Sequence, residues 1–395
     1  MAALLAGAVW LALIGWLLLR LLRQLRTHRA ASLGCPAAEP VALPAVAIIV
    51  PARNEIANIQ TCLMGVTAQR GLTGGVSIMV VDDGSQDGTA EAVSEMARDD
   101  RRIALTGSGD LPAGWMGKPH ACWRGALQSD AEWLCFIDAD VRAAPGLVAT
   151  ALAAARRQRI DMLSLNPRQE LGSFWERLII PAGLVLIGCV QDLRPVNDPD
   201  TADIAVNGQV LLIRRAAYFA AGGHAAVRSE ICEDKALALR IKRAGGQYRL
   251  LGAEHLARTR MYTSLAALWE GLAKNATEIL GDGPNAVAAA TAAMVIGWAA
   301  LLLPLLTTIS AVREPSVAAS VGAAMAVLGS AIVIGVQIGT ARYFRIPPLF
   351  GLLFAGAYTA VAALAWRSFA LRRAGQVTWK GRTYAIQRKA PAGRP

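Results

Sequence analysis

Trp133-Leu-Cys-Phe-Ile-Asp-Ala-Asp140 is an apolar, strand-forming run that stops at two carboxylates one residue apart. In extended chain, residues i and i+2 point the same way, so Asp138 and Asp140 can converge on one hard cation. A cation at the carboxyl end of a strand in an α/β sheet lies where such sheets bind ligands. The pair reads as a Mg²⁺ or Mn²⁺ site holding a diphosphate. Taken alone, so short a motif reads as readily as a strand followed by an acidic turn, and the surrounding chain has to decide.

Upstream, Val46–Val50 is a second apolar β-rich run, ending at Pro51-Ala-Arg-Asn-Glu55 and followed by a helical pattern over Ile56–Ala68. Val76–Val81 repeats the arrangement, ending at Asp82-Asp83-Gly84-Ser85-Gln86-Asp87-Gly88-Thr89. A helix over Ala90–Arg98, capped by Asp87 or Thr89, and a shorter strand at Arg102–Thr106 follow. Strands alternating with helices predict an α/β fold with a mostly parallel sheet, its ligand site built by loops at the carboxyl edge. Asn54 and Glu55, Asp82 and Asp83, and Asp138 and Asp140 then share one rim.

Between these strands, Gly107–His120 sets several glycines around Lys118 ahead of a helical stretch, Ala121–Leu127. That is a loop-plus-cation arrangement suited to phosphate, although the spacing is not a Walker A motif. The bland reading is a solvated loop lysine, with His120 structural. Downstream, Met162–Leu165 and Asn207–Ile213 read as strands and Asp192–Asp203 as a loop. Glu233 and Asp234 open the helical pattern Lys235–Ala244, where they would complement the helix macrodipole.

With 54% hydrophobic residues in 395 and a mean hydropathy of +0.38, the chain is too apolar for an ordinary soluble enzyme. The excess is localised. Ala2–Leu19 carries no charge and is followed by Arg20, Arg23, Arg26 and Arg29, which reads as a retained membrane anchor over 1–29 with the next domain on the cytoplasmic side. Ala286–Val312, Ser316–Ala341 and Ile346–Trp366 are likewise uncharged and long enough to span. The expected order is the anchor, a cytoplasmic α/β domain over 43–260, an interfacial helix in 261–285, membrane helices over 286–370 and a basic tail, 371–395. Leu178–Val190, inside the soluble region, is too short for a comfortable span and suits the interface. Three C-terminal spans would put the basic tail outside, against the charge rule. Either one run does not cross fully, or another segment crosses, Leu178–Val190 being the candidate, or the rule does not hold for this chain.

The net charge of +11 raises a nucleic-acid reading, but much of the basic excess borders the apolar runs, where it meets anionic lipid headgroups. Membrane lipids and no nucleic acid are the expected partners. The six cysteines (35, 62, 122, 135, 189 and 232) are scattered and read as reduced packing residues without a zinc site.

Val-Pro-Ala-Arg-Asn-Glu, then Val-Val-Asp-Asp-Gly-Ser-x-Asp-Gly-Thr, then Ile-Asp-Ala-Asp, in that order and spacing, resemble the nucleotide-sugar half of a membrane-anchored family 2 glycosyltransferase of GT-A fold. Gly-Trp-x-Gly-Lys at 114–118 and Val377-Thr-Trp-Lys-Gly-Arg-Thr-Tyr384 are similar to its hopene-associated subgroup, the first also to carotenoid-associated members. From its residues alone, the second stretch is an aromatic and basic membrane-interface segment. The resemblance implies that Pro51, Arg53, Glu55, Asp82 and Asp83 contact the nucleoside of a UDP-sugar. It further implies that Asp138 touches the donor, that Asp140 holds the metal with it, and that Lys118 meets the diphosphate. It makes Asp234 the catalytic base, supported by Glu233. Arg258 and Arg260 depart from the Gln-x-x-Arg-Trp box of polymer-forming members, which counts against polymer synthesis. They can neutralise a diphosphate leaving group or form a basic edge on the interfacial helix Leu265–Ile279.

The expected function is inverting transfer of a sugar from a nucleotide-sugar donor to a lipid hydroxyl at the cytoplasmic face of the inner membrane, in hopanoid or related isoprenoid lipid synthesis. The alternatives are a polyprenyl-phosphate or polysaccharide acceptor, and a non-catalytic scaffold that binds nucleotide sugars.

Overall fold

The structure, a computed structural model, describes residues 1–34, 42–281 and 283–385. Cys35 and residues 386–395 of the expected tail lie outside them. The helices in chain order are α1 (Ala2–Ala30), α2 (Ile59–Thr67), α3 (Thr89–Asp99), α4 (Gly117–Leu127), α5 (Leu147–Arg157), α6 (Phe174–Val190) and α7 (Arg215–Ala220). After them come α8 (Glu233–Arg243), α9 (Leu265–Ile279), α10 (Gly283–Arg313), α11 (Val317–Tyr343), α12 (Leu349–Leu352) and α13 (Phe354–Ala374). The strands are β1 (Val46–Ala52), β2 (Val76–Asp82), β3 (Ile103–Gly107), β4 (Trp133–Ile137), β5 (Val141–Ala143) and β6 (Met162–Asn166). β7 (Arg168–Gln169), β8 (Val210–Arg214), β9 (Tyr248–Gly252), β10 (Ala257–Thr259), β11 (Gln376–Trp379) and β12 (Arg382–Ala385) complete the set. The chain divides into a helical unit (1–26, 171–192 and 262–377) and an α/β unit (27–170, 193–261 and 378 onward).

In the α/β unit the main sheet has the order β3-β2-β1-β4-β8-β6-β9. β3, β2, β1 and β4 run parallel, β8 is antiparallel to β4 and β6, and β9 is parallel to β6. Both faces are covered, which is why the strand sequences read as continuous apolar runs. Along β1, Val46, Ile48 and Val50 join one buried cluster with residues of α2 and α5, while Ala47 and Ile49 join another with residues of α4 and α8. A small sheet, β5-β10-β7, sits beside the main one. β1, β2 and β4 reach the carboxyl edge in register, with Ala52 opposite Asp82 and Phe136 opposite Ile49. The acidic pairs after β2 and β4 therefore emerge on the same rim as Glu55.

In the helical unit, α1, α10 and α11 are long and apolar enough to cross a membrane. α1 meets α11 through small residues: a Cβ on Gly7 would overlap the Gly322 carbonyl, and one on Gly329 would come within 2.6 Å of the Trp10 ring. Backbones approach this closely between membrane helices only where side chains are minimal. The third C-terminal apolar run is broken at Leu353, between α12 and α13. α13 packs along the first half of α10: Trp298 donates to Thr359 at 3.1 Å and Trp366 to Thr291 at 3.2 Å. Tyr358 accepts from Gln337 of α11 at 2.9 Å. The segment expected over Leu178–Val190 starts earlier, as α6. Ser173 accepts from the Glu176 N–H and Glu176 reaches back to the Ser173 N–H, a capping box that fixes the helix start.

Candidate active site at the carboxyl edge of the sheet

β4 ends at Ile137, and Asp138 and Asp140 follow in a turn held by Asp138 N–H to Gln209 C=O at 2.9 Å and Val141 N–H to Asp138 C=O at 3.0 Å. Lys118, in the first turn of α4, brings its ammonium 2.8 Å from Asp138 Oδ1 and 3.4 Å from Glu233 Oε1 in the first turn of α8. One cation thus draws the Asp-x-Asp pair and the Glu-Asp pair together. Burial would depress the Lys118 ammonium, but the Asp138 and Glu233 carboxylates more than offset it and hold it well above its ordinary value. Lys118 stays charged throughout the working range of pH.

Asp140 is placed differently. Its Oδ1 is buried with no hydrogen-bond partner. Burial, then the charges of Asp138 and Glu55, push the carboxyl up to about 7. A buried oxygen with no donor, in a cluster of carboxylates, suits a hard cation. Among the described residues, no group of three or more His, Cys, Asp or Glu side chains could hold a metal ion. A Mg²⁺ or Mn²⁺ at Asp140 and Asp138 would need further oxygen ligands from outside the chain, as a diphosphate provides. The two carboxylates fit a metal whose coordination is completed from outside the chain.

Asp234 lies against the backbone before β8, where a Cβ on Gly208 would approach its Oδ2 to 2.6 Å. Burial and the adjacent Glu233 push it up to about 6, so it remains mostly ionised at neutral pH, the form in which a carboxylate can accept a proton. Glu233 is buried at the Lys118 contact. The sequence reading of these two residues as macrodipole partners describes their place on α8, and the Lys118 bridge adds a second role.

The loops after β1 and β2 are bound to each other. Arg53 donates to the carbonyl of Gly84 at 3.1 Å, Asn54 Oδ1 accepts from Gln86 N–H at 2.9 Å, and Glu55 N–H donates to Thr89 Oγ1 at 2.9 Å. Asp87 was expected to cap the following helix. Its Oδ1 accepts from the N–H of Thr89, the first residue of α3, at 3.1 Å and from the Thr89 hydroxyl, and its Oδ2 accepts from Ile56 N–H at 3.0 Å, so it serves the helix start and also joins loop to loop across Gly88. Pro51 lies within β1, past the last pairing with β4, where a missing N–H is tolerated. Asp82 Oδ2 accepts from the Gly84 and Ser85 N–H groups, forming the turn, and its Oδ1 is buried without a partner. Asp83 is buried and accepts from Ser108 Oγ at 3.0 Å.

Gly117 explains part of the Gly-Trp-x-Gly-Lys motif, because a Cβ there would overlap Asp83 Oδ2. Gly117→Ala is expected to displace this carboxylate and, on the donor-contact role that the sequence resemblance implies for Asp83, to raise KM for a nucleotide-sugar donor about tenfold with kcat nearly unchanged, the signature of lost ground-state binding. Donor-saturation kinetics check this. His120 is buried, its ring edge-on to Trp115 at 5.3 Å, as a packing residue.

Two predicted residues sit on the small sheet. Arg258, on β10, is largely exposed and lies 3.7 Å from Glu170, which also pairs with Arg142 at 2.9 Å. Arg260 follows the end of β10. Two cations that the sequence reading left at the membrane interface do reach the rim. The β11–β12 hairpin brings Lys380 to Glu55 and Arg382 to Asp83 as ion pairs.

The sheet order and the rim define a GT-A-like α/β fold with a mostly parallel sheet. The mannosyltransferase PcManGT from Pyrobaculum calidifontis, solved with GDP-Man and Mn²⁺, has a similar fold: TM-score 0.55, 17% identity, 94% of this chain and 99% of that one. Residues 47–182 match the family described as Glycosyl transferase family 2, and the chain carries a glycosyltransferase domain of that family. It is also similar to the 4,4'-diaponeurosporenoate glycosyltransferase of Staphylococcus aureus, 26% identical over 350 residues, covering 87% of this chain and 89% of that protein.

Proposed function

We propose that the chain transfers a sugar, with inversion, from a UDP-sugar to the hydroxyl of an isoprenoid lipid at the cytoplasmic face of the inner membrane, a hopanoid being the class of acceptor the sequence resemblance suggests. The observation that carries this is the convergence of Asp138, Asp140, Lys118, Glu233 and Asp234 at the carboxyl edge of a glycosyltransferase sheet in a chain with three membrane-competent helices. Asp138 and Asp140 would hold a divalent cation, which when bound supplies positive charge to the diphosphate. Lys118 adds a fixed positive charge beside that position, where a leaving diphosphate gains negative charge. Arg258 and Arg260 are kept as further diphosphate contacts. Asp234, ionised and buried, accepts the proton of the acceptor hydroxyl as it attacks the anomeric carbon from the face opposite the departing nucleotide. Pro51, Arg53, Glu55, Asp82 and Asp83 are assigned to the nucleoside.

A second reading has one specific support. The S. aureus relative is named for an acceptor that is a carboxylate, and an ionised carboxylate needs no base to attack. Detergent-purified protein, Mn²⁺, labelled UDP-sugars and a source lipid extract separate the cases. Label entering the organic phase as an alkali-stable glycoside supports the hydroxyl acceptor, and an alkali-labile ester supports the carboxylate. Label confined to large polymer overturns both.

Membrane topology follows from two features. The hairpin's bonds to Glu55 and Asp83 hold Lys380 and Arg382 on the same face of the membrane as the α/β unit, which calls for an even number of crossings between Met261 and Thr378. We read α10 and α11 as the crossings and the run Ile346–Trp366 as turning back within the bilayer. Its break at Leu353 and the pairing of α13 with only the first half of α10 support this. A cysteine replacing Glu314, between α10 and α11, is expected to react with an impermeant maleimide from outside, and one replacing Arg345 is not. Labelling of both from the same side would sink this topology.

A further inference from the structure

Lys380 and Gly381 form the two-residue turn of the terminal hairpin, both with positive φ, +46° and +76°. That turn matches the twist of paired strands, and its first place ordinarily goes to Asn, Asp or Gly. A lysine there is strained, and its side chain accounts for the choice. Its ammonium donates to the Arg53 carbonyl at 2.7 Å and pairs with Glu55 Oε1, while Arg53 Nε donates back to the Lys380 carbonyl at 3.3 Å. Two residues on, Arg382 pairs with Asp83 Oδ2 and donates to the Asp83 carbonyl at 3.3 Å.

Each carboxylate is shared in the same way. Glu55 gives its other oxygen to Asn58 at 2.9 Å, and Asp83 gives its other to Ser108 at 3.0 Å. One oxygen of each is held by the α/β loops and the other by the hairpin. These are two of the three carboxylates assigned to the nucleoside, and an oxygen paired with a cation must exchange that partner to accept from a base N–H or a ribose hydroxyl. A nucleoside entering here must displace Lys380 and Arg382. A diphosphate arriving with it offers those two cations a stronger partner than either carboxylate, since ammonium and guanidinium both bind phosphate oxygens well.

We propose that the Gln376–Ala385 hairpin is a strap that exchanges ion pairs: it is closed on Glu55 and Asp83 in the absence of donor, and its Lys380 and Arg382 re-pair with the donor diphosphate once the nucleoside has taken those carboxylates. The strap rests on the nucleotide-sugar reading of the site. It makes Lys380 and Arg382 donor-binding residues supplied from the far end of the chain.

The test compares a nucleoside with its diphosphate. Full-length protein in detergent with Mn²⁺ is titrated by calorimetry with uridine and UDP, and with guanosine and GDP, for wild type, Lys380→Asn and Arg382→Met. Asparagine keeps the left-handed turn while removing the charge, so Lys380→Asn guards against a hairpin that simply unfolds. Partly exposed ion pairs of this kind are modest, and the expected change is about threefold to tenfold. The nucleoside should bind more tightly to each variant and the diphosphate more weakly. Equal shifts in the same direction, or no shift in either, overturn the exchange. A wild type that binds neither UDP nor GDP overturns the nucleotide-sugar reading itself, and the strap with it.

Discussion

Asp234→Asn is expected to lower kcat for transfer to a hydroxyl acceptor about a thousandfold while leaving donor KM within about twofold, because it removes only the proton acceptor. The pH profile sharpens the test. Burial and Glu233 raise the Asp234 carboxyl to about 6, and the base works only when ionised, so kcat/KM should fall as the pH drops through about 6. Glu233→Gln removes a charge that pushes this pKa upward, so the acidic limb should move to lower pH. Stopped assays from pH 4.5 to 8 with wild type and both variants decide it. An acidic limb that survives in Asp234→Asn would assign the base elsewhere. If the acceptor is a carboxylate, the same substitution should cost little, since the nucleophile arrives deprotonated. The loss in Asp234→Asn thus reports the chemistry of the acceptor as well as the role of the residue.

Asp140→Asn is expected to abolish the dependence of donor binding on Mn²⁺ and to reduce transfer by about a hundredfold to a thousandfold. The buried Oδ1 of Asp140 has no donor of its own, so an amide there presents an oxygen without the charge that would retain the ion. Calorimetry of UDP with and without Mn²⁺ measures this apart from turnover. Undiminished metal dependence in the variant would move the metal away from the Asp-x-Asp pair. The protein should also melt higher than wild type, because removing a buried, unpaired charge relieves a desolvation cost. Gained stability with lost activity would mark a site whose strain serves binding.

Much of the fold was legible because the central parallel strands β1 and β4 are buried on both faces. Val46–Val50 and Trp133–Ile137 appear in the sequence as unbroken apolar runs, and Val76–Val81 as one interrupted only by Ser77; all stop at polar loops, and β1, β4 and β2 follow them to within a residue or two. Once the strands are parallel and adjacent, their carboxyl-end residues share a rim by geometry alone. Asp138, Asp140, Glu55 and Asp83 were found in that way. Asp87 was legible only by half: one oxygen takes the Thr89 N–H at the start of α3, as its place ahead of a helix indicates, while the other takes Ile56 N–H, a partner the local sequence does not name. The start of α6 was missed although Ser173-x-x-Glu176 carries a recognisable capping signal. The length of the apolar run had drawn attention to Leu178.

The hairpin was hidden for a different reason. Its turn lacks the usual Asn-Gly or Asp-Gly signal because Lys380 occupies the first place. The contacts it makes join residues 325 and 299 positions apart. No periodicity or spacing rule reaches across such a distance. The composition did show a basic, aromatic tail, and beside apolar helices the lipid surface was the nearer partner to assign.

The division of the α/β unit into three stretches of chain bears on how the protein is made. The main sheet is complete when residue 252 has left the ribosome, but the stretch from Thr378 also belongs to that unit and is synthesised only after the helical segments. All of α10, α11 and α13 are synthesised in between. A nascent chain therefore holds a folded sheet with Glu55 and Asp83 uncovered until the terminal hairpin arrives, and a message cut short anywhere in the last helix yields a protein with its sheet and its Asp-x-Asp pair but without the two cations that complete the rim.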